Sequence, residues 1–153
     1  MSVRRLTGTG GTSMVELVLI VSLLGIILVM VLPAFNSKPE NVAADVQDLA
    51  NNMAVARELG ISRTQHYRIR VFSTGPPYQY AMERYNGSLW VTERTITLRS
   101  GVVFPGATLG LIAEFDTRGM LVTGAPPVFT LQNPAGKWVH TVTVNGVGMV
   151  DHT

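Results

Sequence analysis

The chain has 153 residues, with 12 Lys+Arg against 10 Asp+Glu, a formal charge of +2 and 46% apolar side chains. That length accommodates one modest globular domain of about 100 residues beside a membrane segment, and no pattern in it suggests a repeat array or a second domain. Arg4 and Arg5 account for the excess charge, so residues 12–153 are formally neutral, which argues against nucleic acid as the main partner; the absence of cysteine excludes disulfides and leaves stability to a core or to neighbours in an assembly.

Residues 1–11, MSVRRLTGTGG, form a short basic, glycine-rich head. From Leu17 to Leu32 the chain is uncharged, and Ser22 and Gly25 alone interrupt its aliphatic run. With Met14, Val15 and the Pro33-Ala34-Phe35 exit, this segment approaches the roughly 20 residues of a bilayer-spanning helix, and it predicts a transmembrane helix over 12–35. Arg4 and Arg5 precede it, while Lys38 beyond it is offset by Glu40. The positive-inside bias therefore orients the N-terminus to the cytoplasm and residues 36–153 to the outside. Glu16 stands at the front edge of the run, where a charge costs less than the roughly 2.5–3.5 kcal/mol of mid-membrane. The polar junction precedes the apolar core, the reverse of the order around a secretory cleavage site. Pro33, which lacks an N–H and crowds the preceding turn, is expected to kink the helix.

Residues 36–60 continue it. Ser37 and Glu40 have the form of a capping box, and Pro39 is tolerated in a first turn. Val42, Val46, Leu49, Met53, Ala56 and Leu59 recur at steps of four and three, giving one apolar face, with Gly60 expected as the stop. Residues 61–153 then change period and read as an antiparallel β domain. His66 to Phe72 alternates, with Tyr67, Ile69 and Val71 on one face and His66, Arg68 and Arg70 on the other. Thr74-Gly75-Pro76-Pro77 breaks the pattern. Strands at 78–85 and 88–92 flank Asn86-Gly87 as a hairpin, followed by short strands at 94–98 and 102–104 and by 111–115. A second hairpin joins 128–132 to 138–144, and Asn145-Gly146 leads into a last segment at 147–150. The fold class is α+β, a long N-terminal helix packed on an antiparallel sheet.

Catalytic and metal chemistry find no support in this pattern. His66, His140 and His152 are far apart and in no ligand spacing, and Glu114 and Asp116, beside Arg118, read as turn chemistry rather than a general acid/base pair. No glycine-rich phosphate loop follows a strand and opens a helix. No cofactor is implied.

Gly11 followed by Thr12-Ser13-Met14-Val15-Glu16-Leu17 and an aliphatic run resembles the processing signal of type IV pilins and type II secretion pseudopilins, and Gly25 and Pro33 fall where that family's helix carries glycine and proline. Glu114 to Gly119, with Val142-Thr143-Val144 and Gly148-Met149-Val150, further resembles the H-type minor pseudopilins and FimT-type minor pilins (the GspH/FimT-like family). The resemblance implies a pilin-like fold and a leader, residues 1–11, removed by prepilin peptidase between Gly11 and Thr12, with methylation of the new terminus. Thr12 departs from the Phe or Met usual there. It also implies that Glu16 pairs with the terminal amine of a neighbouring subunit during assembly. The function so implied is that of a non-enzymatic minor pseudopilin, initiating or capping a periplasmic filament for type II secretion. It would be anchored by a single pass in the inner membrane, with other minor and major pseudopilins or pilins as partners. The second reading is a minor pilin of a type IV pilus, including a DNA-binding FimT-type subunit for DNA uptake. The third is an ordinary single-pass protein that keeps Met1 to Gly11. A FimT-type subunit would bind DNA through exposed arginines on its phosphates, which makes Arg57, Arg63, Arg68 and Arg70 the candidates, but FimT-type DNA binders carry arginine near the C-terminus and the last nine residues here, Asn145 to Thr153, have none.

Overall fold

The computed structural model describes residues 13–35, 39–73, 75–122 and 124–153. They fall into two units, one ending at Phe35 and one running from Asn36 to Thr153.

The first unit is one helix, α1, Met14–Phe35. Its first backbone bond runs from the Leu17 N–H to the Ser13 carbonyl at 3.1 Å, which puts Ser13 at the N-cap. Ser22, the one hydroxyl within it, donates back to the Val18 carbonyl at 2.7 Å and so adds no unpaired polar group to the aliphatic surface. Pro33 lies in the last turn, and α1 ends at Phe35. Among the described residues no helix is long and apolar enough to cross a membrane. Side chains of α1 are described as far as Ile27; Gly11, Thr12, the expected leader and Ser37 of the expected capping box lie outside the described residues.

The second unit opens with α2, Pro39–Arg63. Val42, Val46, Leu49, Met53 and Ala56 are buried along one stripe, as their spacing requires. The helix does not stop at Gly60. It runs on to Arg63, where the Gln65 N–H bonds the Gly60 carbonyl at 3.1 Å and the Thr64 N–H bonds the Ile61 carbonyl at 3.3 Å, with Thr64 at φ 52°. This is a Schellman ending with threonine in the position that glycine usually takes. Gly60 serves packing instead: a Cβ there would stand 3.1 Å from the Asp116 carbonyl oxygen and 3.3 Å from that of Gln65.

Seven strands follow: β1 Tyr67–Val71, β2 Gln79–Tyr85, β3 Trp90–Thr97, β4 Ile112–Phe115, β5 Val128–Gln132, β6 Val139–Val144 and β7 Val150–His152. They form two antiparallel sheets, ordered β3-β2-β1-β4 and β5-β6-β7. Tyr67, Ile69 and Val71 point inward from the first sheet and Phe129, Leu131, Val142 and Val144 from the second, and all seven join the α2 stripe in one core. Four sequence boundaries shift. Residues 88–92 and 94–98 are one strand, β3, with a bulge at Glu93, since Glu83 pairs with Thr92 and Met82 with Arg94. The Asn86-Gly87 turn is a four-residue loop, because the Asn86 side chain accepts the N–H groups of Ser88 and Leu89 at 3.0 and 2.9 Å. Residues 102–104 make a single bridge, Val103 to Gln132. The last strand starts at Val150 because Asn145 to Met149 is a turn, closed by the Met149 N–H on Asn145 Oδ1 at 2.9 Å.

Two ion clusters fix these elements, one between helix and sheet and one within the first sheet. Asp45, on α2, takes the Arg99 backbone N–H at 2.8 Å and its guanidinium, while Arg99 also reaches Asp48 at 2.9 Å. Burial pushes the Asp45 carboxyl up, and Arg99 only partly offsets it. Asn41 adds a bond from Nδ2 to the Ser100 carbonyl at 3.0 Å. On the other side of the first sheet Glu83 is 2% exposed beneath Arg68 and Arg70, each at 2.6 Å. Burial there favours the neutral acid, yet the bonds from Arg70 and Arg68 and their charges outweigh it and hold the carboxyl below its ordinary value.

Three expectations follow for unfolding followed by Trp90 and Trp138 fluorescence. Thr64→Gly should stabilise by up to about 1 kcal/mol, the strain of a non-glycine left-handed residue less the added chain entropy. Gly60→Ala should destabilise although alanine is the better helix former by about 1 kcal/mol, because two backbone oxygens must move; a stabilised Gly60→Ala would show that they do so freely. A depressed carboxyl stabilises the fold above its unfolded pKa, and that contribution is lost as pH falls through the folded value. Stability should therefore drop as pH falls below the ordinary glutamate range, and Glu83→Gln, costing roughly 3 kcal/mol near neutral pH, should flatten that drop. An equally steep acid limb in Glu83→Gln would assign it to other carboxylates.

Candidate functional site

Every described side chain of α1 is exposed, from Ser13 to Ile27. Met14 and Val15 are 86% and 70% accessible, and the nine large aliphatics from Leu17 to Ile27 lie between 48% and 62%. Leaving so much apolar surface in water would cost on the order of 10 kcal/mol or more. A contiguous apolar surface of this extent marks an interaction site. Glu16 sits in the first turn, where a carboxylate suits the positive end of the helix by roughly 0.3–1 kcal/mol, and among the described residues it has no polar partner. It shares a shallow groove with Ser13, Leu19, Ile20 and Leu23, one face at helical spacing. At Gly25 a Cβ would meet nothing within 4 Å, so the fold of α1 itself does not require glycine there.

The four arginines singled out as phosphate contacts have internal partners. Arg57 donates from Nε to the Gly119 carbonyl at 3.0 Å. Arg63 reaches the Tyr67 hydroxyl at 2.8 Å and Glu93 at 3.3 Å. Arg68 and Arg70 share Glu83, and their guanidinium carbons lie 4.0 Å and 5.6 Å from the ring centres of Trp90 and Phe72. A guanidinium held by both a buried carboxylate and an aromatic face is poorly placed to release counterions from a phosphate backbone.

The remaining polar candidates do not converge. His66 bonds Glu114 at 2.9 Å, His140 contacts the Thr153 carbonyl at 3.1 Å, and His152 lies in β7. Strand β4 ends at Phe115, so Glu114 and Asp116 part. Asp116 caps its own turn, accepting the N–H groups of Arg118 and Met120 at 2.8 Å each, and pairs with the Arg118 guanidinium at 3.0 Å. Burial opposes its ionisation, but the Met120 and Arg118 N–H groups and the Arg118 charge hold its carboxyl below the usual range. Among the described residues no group of three or more acidic or histidine side chains could hold a metal.

The C-terminal motif residues do meet, at the end of α2. Gly119 and Gly148, at φ +75° and +78°, face each other so closely that a Cβ on Gly148 would overlap the Gly119 carbonyl oxygen, and one on Gly119 would come 2.7 Å from Ile61 Cδ1. Arg57 seals this junction. Nothing local in the sequence announces it, because the contact joins two turns far apart in the chain; the resemblance over 114–119 and 148–150 was its only signal.

No protein-family model and no curated protein matches the chain. Solved structures do. The type IV minor pilin FimU of Pseudomonas aeruginosa superposes with a TM-score of 0.60 over 74% of this chain and 89% of that one, at 13% identity. The minor pseudopilin EpsH from the type 2 secretion system of Vibrio cholerae does so with a TM-score of 0.59 over 74% and 96%, at 12% identity. Both are pilin-type subunits and neither is described as an enzyme. At such identities the likeness is one of fold: the chain has the pilin-like α+β fold common to a type IV minor pilin and a type 2 secretion minor pseudopilin.

Proposed function

We propose that the chain is a minor pilin-type subunit of a filament, a minor pseudopilin serving type II secretion, with a structural rather than catalytic role. The observation that carries this reading is the conjunction of a pilin-like domain with a helix, α1, whose described surface is apolar on every side. A 22-residue helix is about 33 Å long, comparable with a hydrocarbon core of roughly 30 Å, and in the sequence its apolar run continues past the described side chains to Leu32. In this reading α1 anchors the chain by a single pass in the inner membrane, with the N-terminus cytoplasmic and the body from Asn36 onward periplasmic.

Prepilin peptidase would cut between Gly11 and Thr12 and leave a methylated amine on Thr12. Glu16 follows Thr12 by four positions in the sequence. Pairing the two across neighbouring subunits offsets the desolvation of both while the aliphatic helices bundle with other pilin-type subunits. The FimU likeness supports a type IV minor pilin as the second reading. DNA receptor function fits less well, because Arg57, Arg63, Arg68 and Arg70 have internal partners.

Intact-mass analysis of the protein from cells with and without a pilin-type leader peptidase tests the reading. A chain starting at methylated Thr12 in the first strain alone is expected, with Gly11→Ala unprocessed in both. Glu16→Ala should be processed like the parent yet enter filaments at least tenfold less. An unprocessed chain in both strains would reduce the protein to a simple anchored domain, and normal assembly of Glu16→Ala would remove the pairing argument. Co-isolation with secretion rather than pilus subunits separates the two machines.

A further inference from the structure

The two Asn-Gly turns hold a chemistry that none of the roles above uses. An asparagine loses its side-chain amide when the backbone nitrogen of the next residue attacks its Cγ, and that nitrogen must be free and unscreened. Asn133 precedes Pro134, whose nitrogen carries no proton. Asn41, Asn51 and Asn52 lie in α2, each before a residue whose side chain crowds the approach. Asn86-Gly87 and Asn145-Gly146 have no Cβ at that place, and all four residues are exposed. Among the described contacts neither glycine donates its N–H.

Hydrogen bonding separates the two turns. Asn86 Oδ1 accepts two N–H groups, from Ser88 at 3.0 Å and Leu89 at 2.9 Å. Among the described contacts Asn145 Oδ1 accepts one, from Met149 at 2.9 Å. Attack on the face of the side-chain amide requires the amide to turn away from these donors, and each bond given up slows the step by roughly two- to tenfold. The backbone of the second turn stays closed meanwhile, since the Gly148 N–H bonds the Asn145 carbonyl at 2.8 Å and the Asn145 N–H bonds the Met149 carbonyl at 3.0 Å. The Asn145 side chain therefore moves without the turn opening.

We propose that Asn145-Gly146 is a site of spontaneous deamidation, a slow covalent modification placed against the tightest junction of the body. Once the Gly146 N–H has given its proton to hydroxide, the nitrogen bonds to Asn145 Cγ, the Cγ–Nδ2 bond breaks, and the amide takes a proton from water and leaves as ammonia. Water then opens the cyclic imide. Opening at the Cγ–N bond gives aspartate, and opening at the backbone carbonyl gives isoaspartate; either way one water is consumed and one ammonia released, with no oxidation. Aspartate keeps an oxygen for the Met149 N–H and adds one exposed charge. Isoaspartate adds a methylene to the main chain before Gly146, whose carbonyl accepts the Leu121 N–H at 3.2 Å. Two residues on, a Cβ at Gly148 would overlap the Gly119 carbonyl, so the junction has no room for the displacement, and the isoaspartyl chain loses the fit that Arg57 seals. The site belongs to the body and stands or falls separately from any role of α1.

The full chain, kept in detergent micelles in mildly alkaline buffer and sampled over weeks by peptide mass spectrometry, tests the assignment. Conversion at position 145 should run at least threefold faster than at position 86. In urea, where both turns are lost, the two rates should become equal. Asn145→Gln should show no conversion at its own position while position 86 converts as before. Chains separated as isoaspartate at position 145 should unfold at lower urea than the unconverted chain, whereas Asn145→Asp should unfold with the parent. Equal or faster conversion at position 86 in the folded chain, no conversion at position 145, or an unchanged ratio in urea would overturn the assignment. An isoaspartyl chain as stable as the parent would refute the coupling to the Gly119–Gly148 junction.

Discussion

The body depends on one stripe. Val42, Val46, Leu49, Met53 and Ala56 on α2 cannot be covered by a single strand layer of the length available, and both sheets are drawn onto them. The first sheet supplies Tyr67, Ile69, Val71, Tyr80 and Phe115, the second Phe129, Leu131, Val142 and Val144. Polar clamps then fix the fit rather than drive it. Asp45 with Arg99 holds the strand turn after β3 to the helix, and Arg57 holds the two glycine turns to its other end. Each clamp uses an arginine that joins a side chain or backbone group remote in sequence.

The two helices show how the same secondary structure takes different roles from pattern alone. In α2 the apolar positions are confined to one face, which is satisfied within the chain. In α1 they occupy the whole circumference, and nothing inside the chain could satisfy them all. A surface of that kind needs lipid or other helices around it. Glu16 is the single charge on that described surface.

Periodic features were legible in the sequence. The α2 stripe, the alternation in β1 and the β5–β6 hairpin follow from spacing, and the structure has them where the spacing puts them. Features that depend on contacts between distant residues were not legible. Gly60 looks like a helix stop because glycine often is one, whereas here it admits the Asp116 carbonyl, and the stop falls to Thr64. Glu83 sits mid-strand with no local pattern to mark it as buried, yet Arg68, Arg70 and Thr92 cover it. The bulge at Glu93 joined two predicted strands into one, because an extra residue resets the alternation without ending the ladder. The site itself was readable as an apolar run with one acid. Its neighbours in any assembly were not, since interchain contacts leave no local period.

That bulge has a consequence for crowding. β3 is eight residues long, largely exposed, and at the margin of its sheet, which makes it a template onto which another chain could add strands. Glu93 breaks the regular run of outward backbone groups, and its carboxylate gathers Arg63, Arg84 and the Tyr67 hydroxyl around the irregularity. Arg94 next to it adds a second charge. Copies of this domain brought together at high local concentration are thereby discouraged from zipping into continuous sheet.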